Sequence, residues 1–144
     1  LGNLVQHIGG FRPPLAWDAF GLLSGFQLKD GRVDLKIGGT LPLVSAARVL
    51  ALRHGVEAVS TIERLNQLRE KGVLSPGDAA AAAEALEAVM DAILRQQLAD
   101  LEDGIAPSSK IDPALLDRRT RRALRNHLAV VDLLQPMVQG AVSG

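Results

Sequence analysis

The sequence predicts an all-α protein, a helical bundle of about four main helices with short helical turns near the N-terminus and one extended segment. Aromatic residues make up only 3% of the chain, so most of the core must be Leu, Val, Ile and Ala. That composition favours packed helices over a β-sandwich. Apolar residues also recur at the helical spacings of three and four, and helix start and stop signals separate these stretches.

Length and composition indicate a single domain that spans residues 1–144. Hydrophobic residues make up 47% of the chain, enough to bury a sizeable core. The chain begins at Leu1 rather than Met and runs at once into ordinary sequence. We therefore expect it to be a fragment of a longer polypeptide.

The elements near the N-terminus are predicted to be short. Residues 1–8 have the pattern of a helix end stopped by Gly9 and Gly10, and Pro13 and Pro14 begin a short helix. Residues 33–37 alternate apolar and polar side chains and have no obvious strand partner. We expect them to form an extended strip laid over the bundle.

The main helices begin with residues 42–54, which are apolar almost all the way round, the pattern of a helix buried on most sides. Ser60 and Glu63 have the spacing of a capping box and predict a helix that ends at Gly72. Ser75 and Pro76 then predict the start of a long helix running to about residue 102.

A loop over residues 108–112 precedes the last helical region, which is predicted to begin at Pro113. Gln135 and Pro136 mark where that helix kinks or ends. One apolar stripe is expected to face the core, and it consists of Leu124, Leu128, Val131, Leu134 and Val138.

Charge and composition exclude several classes of function. The 16 basic and 16 acidic residues cancel, so net charge gives no argument for nucleic acid or an anionic membrane as a partner. Without cysteine there is no thiolate nucleophile, and the three histidines lack metal-ligand spacing, so no metal site is expected. No apolar run approaches the roughly 20 residues that span a bilayer. We expect a cytoplasmic protein that binds no membrane.

The candidate binding residues stand in or beside a long apolar stretch. Arg48 is the only charge between Lys36 and Arg53. An unpaired buried guanidinium is costly, so Arg48 is expected to reach an internal carboxylate such as Asp34, the bundle rim, or an anionic group of a substrate or adjoining domain. Arg64, just after the next helix start, is a further cation expected to face the same cleft.

Asp34 and Lys36 are expected on one side of the extended strip, as a charged pair on a solvated face or in a cleft. In a cleft, Lys36 would neighbour a phosphate and Asp34 would orient it. Gln97 falls within a predicted apolar stripe of the long helix, formed by Leu86, Met90, Ile93 and Leu101. Its side chain is either satisfied inside the protein or binds substrate. Arg95 is predicted on the opposite side of that helix.

The last helix carries a basic cluster that contains no acidic residue. It is interpreted as a solvated face that acids on the preceding helix could balance, because it lacks the interleaved aromatics of a single-strand nucleic-acid surface. Nucleic-acid binding remains the weaker alternative for this cluster. Its members are Arg118, Arg119, Arg121, Arg122 and Arg125.

Four stretches together resemble the nucleotidyltransferase substrate-binding domain family: DLKIGGTLPLVSAARVLAL, GVEAVSTIERLNQL, the long helix ending LRQQLADLEDGIAP, and the last helix ending VVDLLQ. The resemblance covers nearly the whole chain. This family occurs at the C-terminus of bacterial proteins that also carry a nucleotidyltransferase-like domain and often CBS or cyclic-nucleotide-binding domains. The resemblance implies a helical partner of a catalytic domain in a signalling protein.

The residues that match the family pattern include the candidate binding residues. Relatives commonly have a basic residue where this chain has Ile93 and a His where it has Gln96. The matching positions are Asp34, Leu35, Lys36, Gly39, Pro42, Ala47, Arg48, Thr61, Arg64, Leu65, Arg95 and Gln97.

The resemblance also implies a nucleoside triphosphate and Mg²⁺ for a catalytic domain that these residues do not include. Nucleotidyl transfer needs a Gly-Ser turn and closely spaced acids that hold the metal, and no such arrangement occurs here. The fragment alone is therefore not expected to be an enzyme, although its parent protein could be a nucleotidyltransferase.

Two functions follow as hypotheses. The first is a substrate-binding domain that forms one wall of the acceptor-substrate cleft beside an adjoining nucleotidyltransferase-like domain. The alternative is a non-catalytic interaction or dimerisation module.

Overall fold

A computed structural model of the protein describes residues 31–144. It confirms the predicted all-α class, because the β-structure of these residues is limited to one antiparallel pair of two-residue strands. The helix end predicted over residues 1–8 and the short helix predicted after Pro14 lie outside the described residues.

Residues 31–144 form five α-helices, with one π-helix before the first of them and one 3₁₀ turn between the third and the fourth. The π-helix spans Lys36–Thr40 and the 3₁₀ turn spans Pro113–Leu115. The α-helices are α1 (Leu41–Arg53), α2 (Thr61–Glu70), α3 (Pro76–Glu102), α4 (Arg118–Leu128) and α5 (Val130–Ser143).

Two predicted helix starts are confirmed by their capping bonds. The Ser60 hydroxyl accepts a hydrogen bond from the backbone N–H of Glu63 at 3.1 Å, and the Ser75 hydroxyl accepts one from Asp78 N–H at 3.0 Å. Each bond satisfies an N–H that has no partner within its own helix. The predicted stop after α2 is also confirmed, because Gly72 adopts a φ of 74°, a conformation that other residues rarely take.

The last helical region differs from its prediction. The 3₁₀ turn begins at Pro113 as predicted, but the first α-helix begins only at Arg118. Two helices follow, α4 and α5, separated at Ala129. Of the two alternatives predicted at Pro136, a kink or an end, the helix does not end there, because α5 continues to Ser143. Proline removes the donor that would bond to the carbonyl four residues earlier, at Asp132. Both residues are exposed, so water can take the place of that donor.

The prediction of an extended strip over residues 33–37 without a strand partner is wrong. Only β1 (Val33–Asp34) is extended, and it pairs antiparallel with β2 (Lys110–Ile111), where a loop was expected. The carboxylate of Asp34 accepts hydrogen bonds from the N–H groups of Lys36 and Ile37, at 3.0 and 3.2 Å. These bonds start the π-helix and end the strand.

The buried residues form two hydrophobic clusters. One lies among α1, α2, α5 and the first half of α3. The other lies among α4, the second half of α3 and the β1–β2 pair. All five residues of the apolar stripe predicted for the last region, Leu124, Leu128, Val131, Leu134 and Val138, are buried as expected.

The predicted core-facing side of α3 is partly wrong. Met90 and Leu101 were expected in the core but are 55% and 59% exposed. The buried face instead carries mostly small residues, which let neighbouring helices approach closely: Ala79, Ala82, Ala85, Leu86, Val89, Ala92, Gln96 and Asp100. The bulkier residues form an exposed line along the helix, here termed the α3 apolar stripe: Met90, Leu94, Leu98 and Leu101.

Candidate functional site

A pocket of about 510 Å³ lies between the π-helix, α3 and the residue before β2. Its walls are mainly apolar, with a few polar groups, the composition typical of small-molecule sites. The π-helix contributes Lys36 and Thr40, and Ser109 comes from the β2 side. Helix α3 supplies the remaining wall through Met90, Asp91, Ile93, Leu94 and Gln97.

The π-helix reaches this position because Gly39 has no side chain. A Cβ at Gly39 would lie 3.0 Å from Cγ1 of Val89 on α3 and 3.2 Å from Cδ2 of Leu128 on α4. The backbone therefore approaches both helices more closely than another residue would allow. Short π-helical turns occur frequently at functional sites, and this one places Lys36 and Thr40 at the pocket.

Two polar groups of the pocket have no protein partner within residues 31–144. Lys36 is exposed, and no carboxylate of the described residues lies within ion-pair distance of it. The Thr40 hydroxyl oxygen is buried and makes no hydrogen bond there. Buried polar groups are normally hydrogen-bonded. A negatively charged ligand in the pocket would pair with the Lys36 ammonium.

Four of the six predicted binding residues lie in the pocket or beside the elements that line it. Lys36 and Gln97 both line the pocket. Arg95 forms a 2.9 Å ion pair with Asp91, a pocket residue one turn earlier on α3. Asp34 is engaged in capping the π-helix.

Arg48 and Arg64 do not line this pocket. Arg48 on α1 is exposed and does not pair with Asp34, so of its expected positions the structure shows the bundle rim. Arg64 on α2 is half-buried. The structure thus brings Lys36 and Gln97 together at one pocket. Arg95 lines a different concavity, in agreement with its predicted position on the opposite side of α3 from Gln97. The role of these residues in binding remains a prediction.

A buried polar network beside the pocket was missed by the sequence reasoning. Gln96 and Asp100 are 3% and 1% exposed, and the Gln96 amide donates to Asp100 Oδ1 at 2.8 Å. The Arg32 guanidinium lies 3.2 Å from the same oxygen, and Ser108 N–H donates to Asp100 Oδ2 at 3.1 Å. The hydrogen bond from Gln96 lowers the pKa of Asp100 most; burial opposes it, and Arg32 and Ser108 lower the pKa further.

This network holds the chain on either side of the pocket. The Gln96 carbonyl oxygen accepts a 2.8 Å hydrogen bond from Asp112 N–H, just after β2, while Arg32 precedes β1. The sequence pattern singled out Gln97 as a polar residue in an apolar stripe, but its neighbour Gln96 is the buried one. The spacing of Gln96 four residues before Asp100 was the available signal, since both lie on one helix face.

The basic cluster forms a separate concavity of about 380 Å³, lined by Arg118, Arg119 and Arg122. No carboxylate of residues 31–144 lies within ion-pair distance of these three side chains, so the acids of α3 do not balance them through ion pairs. Asp117 caps α4 by accepting from Thr120 N–H at 2.7 Å. That bond is the main cause of a lowered pKa of Asp117.

Residues 31–144 contain no group of three or more His, Asp or Glu side chains placed to hold a metal ion. In the same part of the chain, no helix combines the length and apolar character needed to cross a bilayer.

The fold is an all-α bundle that carries a mainly apolar pocket. The family model described as "Putative nucleotidyltransferase substrate binding domain" matches residues 1–142, and the chain belongs to that family. The description is that of a substrate-binding domain, not a catalytic one. Comparison with curated proteins and with solved structures gave no match.

Proposed function

We propose that this domain forms one wall of the acceptor-substrate cleft in a nucleotidyltransferase-like signalling protein, with the α3 pocket as its binding surface. The observation that carries the proposal is an exposed ammonium without an ion-pair partner among residues 31–144, Lys36, beside a mainly apolar wall. Family membership supports the general role. The pocket supports this particular surface.

The polar groups favour an acceptor that carries a phosphate or carboxylate. The Lys36 ammonium can pair with such an anion. The Gln97 amide offers both a donor and an acceptor. Met90, Ile93 and Leu94 provide an apolar surface for the rest of the molecule.

The adjoining catalytic domain is the partner in this proposal, and it would supply the nucleoside triphosphate and Mg²⁺. This domain would contribute acceptor binding and orientation, which raise the rate by holding the reacting groups together. Arg48 and Arg64, away from the pocket, would be available to the catalytic domain.

The experiment compares Lys36→Met with Lys71→Met in the full-length protein. Lys71 is an exposed lysine beyond the end of α2 and does not line the pocket. Losing one charged hydrogen bond costs roughly 1.5–3 kcal/mol. Lys36→Met should therefore raise the KM for the acceptor by about tenfold or more, with the KM for the nucleotide unchanged.

Lys71→Met should leave both constants unchanged. Circular dichroism and thermal unfolding would establish that both variants keep the fold. An unaltered acceptor KM in folded Lys36→Met protein would contradict the proposal.

A further inference from the structure

The concavity at the start of α4 is lined by guanidinium groups and is separate from the α3 pocket. Arg118, Arg119 and Arg122 line its volume of about 380 Å³, and none of them lines the pocket. This concavity is here termed the arginine site. Because it shares no lining residue with the pocket, a ligand bound there is independent of the proposed acceptor.

The three arginines of this site stand at spacings that bring like charges together. Arg118 and Arg122 are four residues apart on α4, and Arg119 and Arg122 are three apart, so each pair is adjacent on the helix surface. Like charges four residues apart destabilise a helix. The first turn is also the end of a helix where the dipole disfavours cations and favours anions. A bound anion would therefore relieve the repulsion at this site.

Acids within residues 31–144 compensate little of this charge. No carboxylate there lies within ion-pair distance of the three guanidinium groups. The adjacent acid, Asp117, is engaged as the N-cap of α4 and accepts a hydrogen bond from Thr120 N–H. Arg121 and Arg125 add two more cations to the same helix. Helix α4 therefore carries five arginines beside the single aspartate of its N-cap.

We propose that the arginine site binds a compact polyphosphate, an anion with two or three linked phosphoryl groups. The planar fork of arginine matches phosphate oxygens two at a time and keeps its charge at any working pH. Three such groups around one concavity suit an anion with several negative charges. The volume of about 380 Å³ also lies within the range of small-molecule sites, roughly 300–1,000 Å³.

Residues 31–144 offer such a ligand no aromatic ring. All four aromatic residues of the chain lie between positions 11 and 26. Single-stranded nucleic acid is bound largely by stacking of its bases on aromatic side chains, and the described part of the chain supplies none. The phosphate chain is therefore the part of the ligand that the arginine site recognises, whether it belongs to an inorganic polyphosphate or to a nucleotide.

Calorimetric titration of the whole chain with tripolyphosphate, in the absence of divalent metal, tests the site. The double substitution Arg119→Gln and Arg122→Gln removes two of its guanidinium groups. It should weaken binding about tenfold or more, because charged hydrogen bonds are lost. The matched control is Arg69→Gln with Lys71→Gln, which removes two exposed cations at the end of α2 and should leave the affinity nearly unchanged.

Equal weakening by the two double substitutions would overturn the proposal, because binding would then follow net charge rather than the arginine site. No binding of tripolyphosphate to the folded wild-type chain would overturn it as well. Circular dichroism would establish that both variants keep the fold, which is expected because all four substituted side chains are exposed.

Two further titrations separate the sources of the anion. A nucleoside triphosphate should bind with an affinity similar to that of tripolyphosphate and lose it in the Arg119 and Arg122 variant. Much tighter binding of the nucleotide would overturn recognition by the phosphate chain alone. If single-stranded oligothymidylate bound more tightly than tripolyphosphate and lost its affinity in the same variant, the proposal would be overturned in favour of a nucleic-acid surface.

Discussion

The Gln96 side-chain amide donates a hydrogen bond to the Asp100 carboxylate at 2.8 Å, one turn along α3, and both side chains are buried. From this pair, further bonds extend to residues that flank both strands of the small sheet. Gln96 also accepts from Asp112 N–H after β2, and Asp100 binds Arg32 before β1. The pair therefore holds both chain segments that border the pocket.

Replacing Gln96 with Leu should destabilise the domain by about 2 kcal/mol, because Asp112 N–H and Asp100 each lose a buried hydrogen-bond partner. Urea unfolding followed by circular dichroism would measure the change. Gln97→Leu is the matched control, since Gln97 is half-buried and has no protein hydrogen bond within residues 31–144 that would be lost. Equal destabilisation by the two substitutions would contradict the assignment of the network to Gln96.

Stability should fall in acid partly through Asp100. Its pKa is lowered in the folded state, first by the Gln96 hydrogen bond and then by Arg32 and Ser108 against an opposing burial effect. A lowered folded-state pKa means that the contribution is fully present above the ordinary aspartate pKa, about 3.9, and is lost as pH falls through the folded value. Asp117, whose pKa is also lowered, contributes with the same sign.

Urea midpoints measured from neutral pH into the acid range would check this dependence. Asp100→Asn should lower stability at neutral pH and flatten its decline in acid. Asp91→Asn, which removes an exposed carboxylate, should leave the decline nearly unchanged. If Asp100→Asn lost stability in acid as steeply as the wild-type chain, Asp100 would not contribute to that loss.

Gly39→Ala should destabilise the domain by about 1–3 kcal/mol, the usual range for overpacking. Its new methyl group would meet Val89 at 3.0 Å and Leu128 at 3.2 Å, so these side chains or the π-helix backbone must shift by a few tenths of an ångström. Gly140→Ala is the control, and it should change the stability in the opposite direction. A Cβ at Gly140, within α5, meets no atom within 4 Å, and alanine should stabilise that helix by up to about 1 kcal/mol.

Thermal unfolding of both variants would measure the difference. If Gly39→Ala unfolded at the wild-type temperature, the close approach of the π-helix to its neighbours would not be a constraint.

The elements governed by local signals were predictable from the sequence. Ser60 and Ser75 each act through an N–H three residues away, so the helix starts follow from neighbouring residues alone. The last apolar stripe, from Leu124 to Val138, was also correct. That prediction succeeded because, unlike on α3, the large side chains of this stripe are the ones that become buried.

The elements set by distant contacts were not predictable in the same way. Strand β1 pairs with β2, far along the chain, and Asp34 then turns the backbone into a helix. On α3 the bulky residues suggested one buried face, but close packing selected the alanine face instead. The buried Gln96 was missed for the same reason, because packing of the alanine face rotates the helix relative to the core.

The small sheet closes a long loop, since Arg32 and Lys110, which also share a hydrogen bond, are 78 positions apart. The free-energy cost of closing a loop, which is entropic, grows only logarithmically with loop length, by about 0.6 kcal/mol for each doubling. A few residues added to a surface turn between α1 and α2 or between α2 and α3 would therefore change the cost of loop closure negligibly. The geometry around Lys36 and Ser109 is thus insulated from insertions elsewhere in the bundle, which leaves those turns free to diverge while the pocket is retained.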